Sequence, residues 1–83
     1  MALSPDWRRR YWRCRRGMQE LDILLSRYLD QLQPGATPQE LDIFDRLLAL
    51  QDPELQRYLL AGEAPGDGEL AELTRLIRRL PPS

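Results

Sequence analysis

At 83 residues, 42% hydrophobic and 30% charged, the chain is sized for one domain near the lower limit of an unstapled core, and is too apolar for a disordered tail. A single cysteine excludes an internal disulfide, and the lack of histidine and lysine argues against a conventional enzyme, because it removes the commonest general base and the Schiff-base amine. The net charge of -1 hides a split: residues 1–16 hold six arginines against Asp6, giving +5, and the rest hold six arginines against twelve acids, giving -6.

The first predicted helix covers about residues 5–16. Ser4-Pro5-Asp6 offers a cap, a proline at the first helical position and an acid in the first turn. Trp7, Tyr11, Cys14 and Met18 fall at i, i+4, i+7 and i+11, an apolar stripe on which Cys14 reads as core, and Gly17 supplies the stop. Trp12 lies off that stripe among Arg8, Arg9, Arg13, Arg15 and Arg16. Either a broad apolar face takes it in and the arginines are solvated, or the group is an Arg/aromatic contact surface. The basic end suits an acidic partner, a targeting segment or nucleic acid, although the acidic body argues mildly against the last.

The second helix covers about 18–33, with Leu21, Leu24, Leu25, Tyr28, Leu29 and Leu32 on one face. Glu20 and Asp22 fall in its first turn, where the helix dipole favours acids by about 0.3–1 kcal/mol. Arg16 could pair with Glu20 only if the helix ran through Gly17, and then in the weaker orientation. After a loop at Gln33-Pro34-Gly35-Ala36, Thr37-Pro38-Gln39-Glu40 reads as a capping box opening a third helix, about 38–50, with Leu41, Phe44, Leu47 and Leu48. Asp52-Pro53-Glu54 repeats the scheme for a short fourth, about 53–61, with Leu55, Tyr58 and Leu59. A loop over 62–66 leads to Asp67-Gly68-Glu69, a weaker start for a fifth, about 67–80, with Leu70, Leu73, Ile77 and Leu80. Strand alternation, a phosphate-cradling glycine loop, a Cys/His zinc pattern and an apolar run near the roughly 20 residues of a membrane span are all missing from the sequence. These signals predict an all-α, compact single domain of five short helices spanning residues 1–83.

The stretch "RRGMQELD" resembles the signature of the small flavinylation factors of succinate dehydrogenase, the SdhE-type FAD assembly factors, whose hallmark is Arg-Gly-x-x-Glu. Here that motif is Arg16, Gly17 and Glu20, followed by Leu21-Asp22. Trp12 and Cys14 precede it as in relatives, "FDRLLALQDPEL" is similar to the family's third helix and Asp-Pro stretch, and "GEAPGDGELAELTRLIRRL" to its last helix. The likeness runs from about residue 7 to residue 80, with one departure: Tyr58 stands where relatives commonly carry Trp.

The resemblance implies a helper, not an enzyme. It would bind the flavoprotein subunit of succinate dehydrogenase, and also that of fumarate reductase, and promote covalent attachment of FAD to a histidine of that subunit. FAD would be handled in the partner and not bound tightly by this chain, which would be a monomer when free, neither inserted in a membrane nor bound to nucleic acid. The partner-binding residues would be Arg16, Gly17 and Glu20, with Arg9, Trp12, Arg15, Asp52 and Tyr58. On this reading Arg16→Ala is expected to weaken binding without disturbing the fold. The motif begins too early to follow a mitochondrial targeting extension, which implies a bacterial cytoplasmic protein.

Overall fold

The computed structural model describes residues 5–32 and 35–80. Proline and acid set the start of α1 (Pro5–Arg13), with Asp6 in its first turn; Ser4 lies outside the described residues. The helix stops three residues earlier than its apolar stripe suggested. The Cys14 N–H donates to the Arg10 and Tyr11 carbonyls and Arg15 N–H to that of Trp12 (3.0 Å), so the last turn tightens and unwinds. The chain then crosses to α2 (Gln19–Leu32) through Gly17 at φ +83, a left-handed conformation that glycine adopts without steric cost.

The capping box forms as expected: Glu40 N–H donates to Thr37 Oγ1 (3.1 Å) and Thr37 N–H to Glu40 Oε1 (3.0 Å), opening α3 (Pro38–Leu48). Of the loop predicted before it, Gln33 and Pro34 lie outside the described residues. The next start differs from expectation, because Gln51, not Asp52, is the cap of α4 (Asp52–Leu55), and its N–H donates to Glu54 Oε1 (3.3 Å). Asp52 is thereby released for another contact. The helix then widens into a π turn over Gln56–Leu60, in which Ala61 N–H reaches back to the Gln56 carbonyl (2.9 Å). Gly62 (φ +80) ends it, and a Cβ there would stand 2.7 Å from Arg78 Nη1. Asp67 caps α5 (Gly68–Arg79), accepting from the N–H groups of Glu69 (2.8 Å) and Leu70 (3.2 Å).

The five helices bury one core. Leu21, Leu25, Leu29, Phe44, Leu47, Leu55 and Ile77 are fully enclosed, and the Tyr28 and Phe44 rings meet at 5.4 Å. Burying apolar side chains from α2 to α5 in one place is the main stabilising term at about 25 cal/mol per Å2. The lone α1 contributes no buried residue of its own; Trp7 and Tyr11 lean on the core from outside, and Cys14, just past the helix, enters it. What fastens α1 is polar. The Arg10 guanidinium forks onto Asp45 of α3 at 2.8 and 2.9 Å, and the Tyr11 hydroxyl donates to Asp30 of α2.

Candidate functional site

The loop of residues 14–18 is held from below. Asp22 accepts the Arg16 N–H at 2.6 Å, so this acid does more than meet the helix dipole: it closes the crossing over the start of its own helix. The Arg16 side chain, 18% exposed, turns inward. Its guanidinium donates to the Leu48 carbonyl at the end of α3 and stands 3.6 Å from Asp52 Oδ1 at the start of α4. A cation on the last carbonyls of one helix and an acid in the first turn of the next both fit the helix dipoles. Arg16 does not pair with Glu20. It braces the loop against the α3–α4 corner, so Arg16→Ala is expected to cost stability as well, where the sequence alone led to an undisturbed fold.

With the loop so held, Gly17 and Glu20 face outward. Both are exposed, and a Cβ built on Gly17 meets nothing within 4 Å, so the space above that backbone is open. Glu20 has no hydrogen-bond or ion-pair partner among the described residues. It lies instead beside Ile23, Leu24 and Leu60, which line a shallow depression with it. Ile23 also borders an open groove between α1 and α2 that includes Tyr11, Arg15 and Arg27. Arg15 and Tyr11 continue to a further hollow with Arg8 and Trp12. Trp12 is 68% exposed, and the Arg15 guanidinium covers its ring at 5.2 Å from the centroid. The reading in which a broad apolar face takes in Trp12 is therefore overturned: α1 turns its stripe of Trp7 and Tyr11 to the body and Trp12 to solvent.

Glu20 and the Arg/Trp surface are thus linked by adjoining hollows that share Ile23, Tyr11 and Arg15. Of the other expected site residues, Asp52 is engaged with Arg16. Arg9 is not brought to this surface. It lies with Arg10, Arg13 and Asp45 on the α3 side of α1, 3.9 Å from Asp6 of its own helix. Tyr58 is half-buried with the Arg57 guanidinium 5.7 Å from its ring centroid, and the residue its helix sends to the Glu20 depression is Leu60. Sequence reading missed Ile23 and Leu60. Two signals pointed to them: Ile23 interrupts the polar side of α2, and one face of a short helix cannot bury both of the adjacent Leu59 and Leu60.

Burial, reinforced by the bond to Asp30, pushes the Tyr11 phenol up to about 12, so it remains a neutral donor at the junction of α1 and α2. Among the described residues no group of His, Cys, Asp and Glu could hold a metal ion, and no helix is long and apolar enough to cross a membrane. Arg10 and Arg16 are committed to carboxylates of the body, which leaves fewer cations for a phosphate backbone than the sequence promised.

A family model described as flavinator of succinate dehydrogenase matches residues 8–81. The chain is 42% identical over 69 residues to the FAD assembly factor SdhE of Coxiella burnetii, covering 83% of this chain and 84% of that one. It is 38% identical over 72 residues to the FAD assembly factor SdhE of Idiomarina loihiensis (87% and 80% covered) and 42% over 67 residues to that of Legionella pneumophila (81% and 84%). No solved structure matches significantly. The relatives give the nucleic-acid alternative no support.

Proposed function

The chain belongs to the family of flavinators of succinate dehydrogenase, and we propose that it is a non-enzymatic assembly factor that binds the flavoprotein subunit of succinate dehydrogenase and promotes covalent attachment of FAD to it. Its relatives carry the name of FAD assembly factors and are bacterial, which supports the same role in a bacterial cytoplasm, with the flavoprotein of fumarate reductase as a second client. The observation that carries the reading is the outward presentation of Gly17 and of Glu20, which has no partner among the described residues and is joined to Trp12 and Arg15 by adjoining hollows.

The chemistry belongs to the partner, and this chain supplies a shape. Open space over Gly17 admits a partner backbone to within contact distance. Glu20 and Arg15 make charge-assisted bonds, and Trp12 supplies a rigid aromatic anchor. Promotion follows from differential affinity: a factor that binds the flavinylation-competent conformation of its client more tightly than the others raises the population of that conformation. Free FAD is not a tight ligand, because the hollows on this face are open grooves and a dinucleotide needs an enclosing cleft. The free factor works as a monomer.

The test is co-expression of the flavoprotein subunit with and without the chain in a host deleted for its own factor, followed by in-gel fluorescence of denatured protein. Covalent flavin rises when the chain is present. Equal fluorescence in the two arms would refute the assignment.

A further inference from the structure

The motif face carries an apolar feature that the motif does not explain. Ile23 of α2 and Leu60 of the π turn are 41% and 38% exposed, and with Leu24 they wall a depression of about 240 Å3 beside Glu20. Neither is needed by the core, since α2 already buries Leu21, Leu25, Tyr28, Leu29 and Leu32, and the fourth helix buries Leu55 and Leu59. The π turn explains how Leu60 comes to be there. A turn widened to i→i+5 places both Leu59 and Leu60 one turn beyond Leu55; the first fills the core and the second reaches the flank of α2. Such widened turns are frequent at functional sites.

We propose that Ile23 and Leu60 are the walls of a docking cup whose acid is Glu20, and that the cup takes an arginine or lysine side chain of the flavoprotein subunit. The inference rests on the assembly-factor reading above. An aliphatic stem lies between the two apolar walls while its cationic end meets the carboxylate, the usual way a long basic side chain divides itself between apolar and polar surroundings. The charge of the occupant follows from desolvation. Docking strips water from a carboxylate that has no partner among the described residues, and only a cation or several strong donors repay that cost. The cup adjoins the Trp12–Arg15 surface through the groove that Ile23 and Arg15 share, so acid and base alternate along one face. Alternation of this kind fixes the register of a complex and penalises wrong partners.

The experiment measures affinity of the full chain for the purified flavoprotein subunit, with thermal unfolding of every variant. Ile23→Ser and Leu60→Ser each weaken binding about ten-fold or more while their unfolding midpoints stay near the parent's, and Ile23→Ala and Leu60→Ala repeat the result with less disturbance of the surface. Leu76→Ser, at an apolar residue 48% exposed in a separate groove between α3 and α5, leaves binding unchanged. Glu20→Lys weakens binding more than Glu20→Gln, because it sets like charges together. Parent-like affinity in the Ile23 and Leu60 variants would overturn the cup while leaving the assembly-factor reading intact, provided Trp12→Ala still weakens binding. Equal affinities for Glu20→Lys and Glu20→Gln would overturn a cationic occupant. If the parent neither binds the flavoprotein nor changes its covalent flavin, both readings fall together.

Discussion

The three defining residues of the motif divide the work between folding and recognition. Arg16 is mostly buried on the Leu48 carbonyl and Asp52, so Arg16→Ala leaves a helix-end carbonyl without its donor and lowers the unfolding free energy by about 1–3 kcal/mol in urea titration. Glu20→Gln, at an exposed side chain with no partner among the described residues, costs less than about 1 kcal/mol and acts on binding. Gly17 belongs to both classes. Its φ of +83 makes Gly17→Ala cost about 1–2 kcal/mol, and Gly17→Asn recovers part of that because asparagine tolerates the left-handed region. An asparagine variant that folds well but fails to support flavinylation would place the partner against that α-carbon. Beneath them, burial pushes the Cys14 thiol from its ordinary 9.0 up to about 12. The folded thiol therefore stays protonated at pH values where the unfolded one ionises, so stability is undiminished below about 9 and declines as the pH rises toward 12. Iodoacetamide at mildly alkaline pH should spare Cys14 in the native chain and label it once urea unfolds the protein.

Among elements, the starts were easier to read than the stops. A start carries its own chemistry in a few adjacent residues: Thr37 and Glu40 exchange side-chain bonds with each other's N–H, and Asp67 satisfies two N–H groups alone. Thr37→Ala should accordingly cost about 1 kcal/mol, measured by urea unfolding, with Glu40→Ala costing less. Stops depend on distant partners. The end of α1 reflects Asp22 capturing the Arg16 N–H across the following loop, a bond with no local signature, while the burial of Cys14 was legible in its stripe. The same holds for Gln51 displacing Asp52 as a cap, because what draws Asp52 away is an arginine from another segment. Nor could the π turn be read, since Gln56 to Leu60 are ordinary helix formers and its width answers a packing demand from Leu55 and Leu59. The site followed the same pattern: Gly17 and Glu20 were legible as a motif, whereas Ile23 and Leu60 become neighbours only after α2 and the π turn are packed.

At the scale of the whole molecule, the split between a basic amino-terminal end and an acidic body serves two purposes. Part of it is internal glue, because Arg10 on Asp45 and Arg16 with Asp52 tie the end to the body. The remainder, Arg8, Arg9, Arg13 and Arg15, stays exposed around α1 and just after it and makes that end of the molecule positive. Exposed charges of this kind change how often a partner arrives more than how long it stays, and they are screened over about 10 Å at 0.1 M salt. Apolar walls and a desolvated acid act on the opposite quantity. The association rate with the flavoprotein should therefore fall as salt is raised, and Arg8→Gln/Arg9→Gln should lower that rate and flatten its salt dependence while leaving dissociation near the parent value. Leu60→Ser should do the reverse, accelerating dissociation with an unchanged salt slope. Surface-immobilised flavoprotein with the factor in flow resolves the two rates. An association rate indifferent both to salt and to the double arginine variant would mean that the positive end of the molecule plays no part in the encounter, and that Trp12 and the Glu20 cup find the partner unaided.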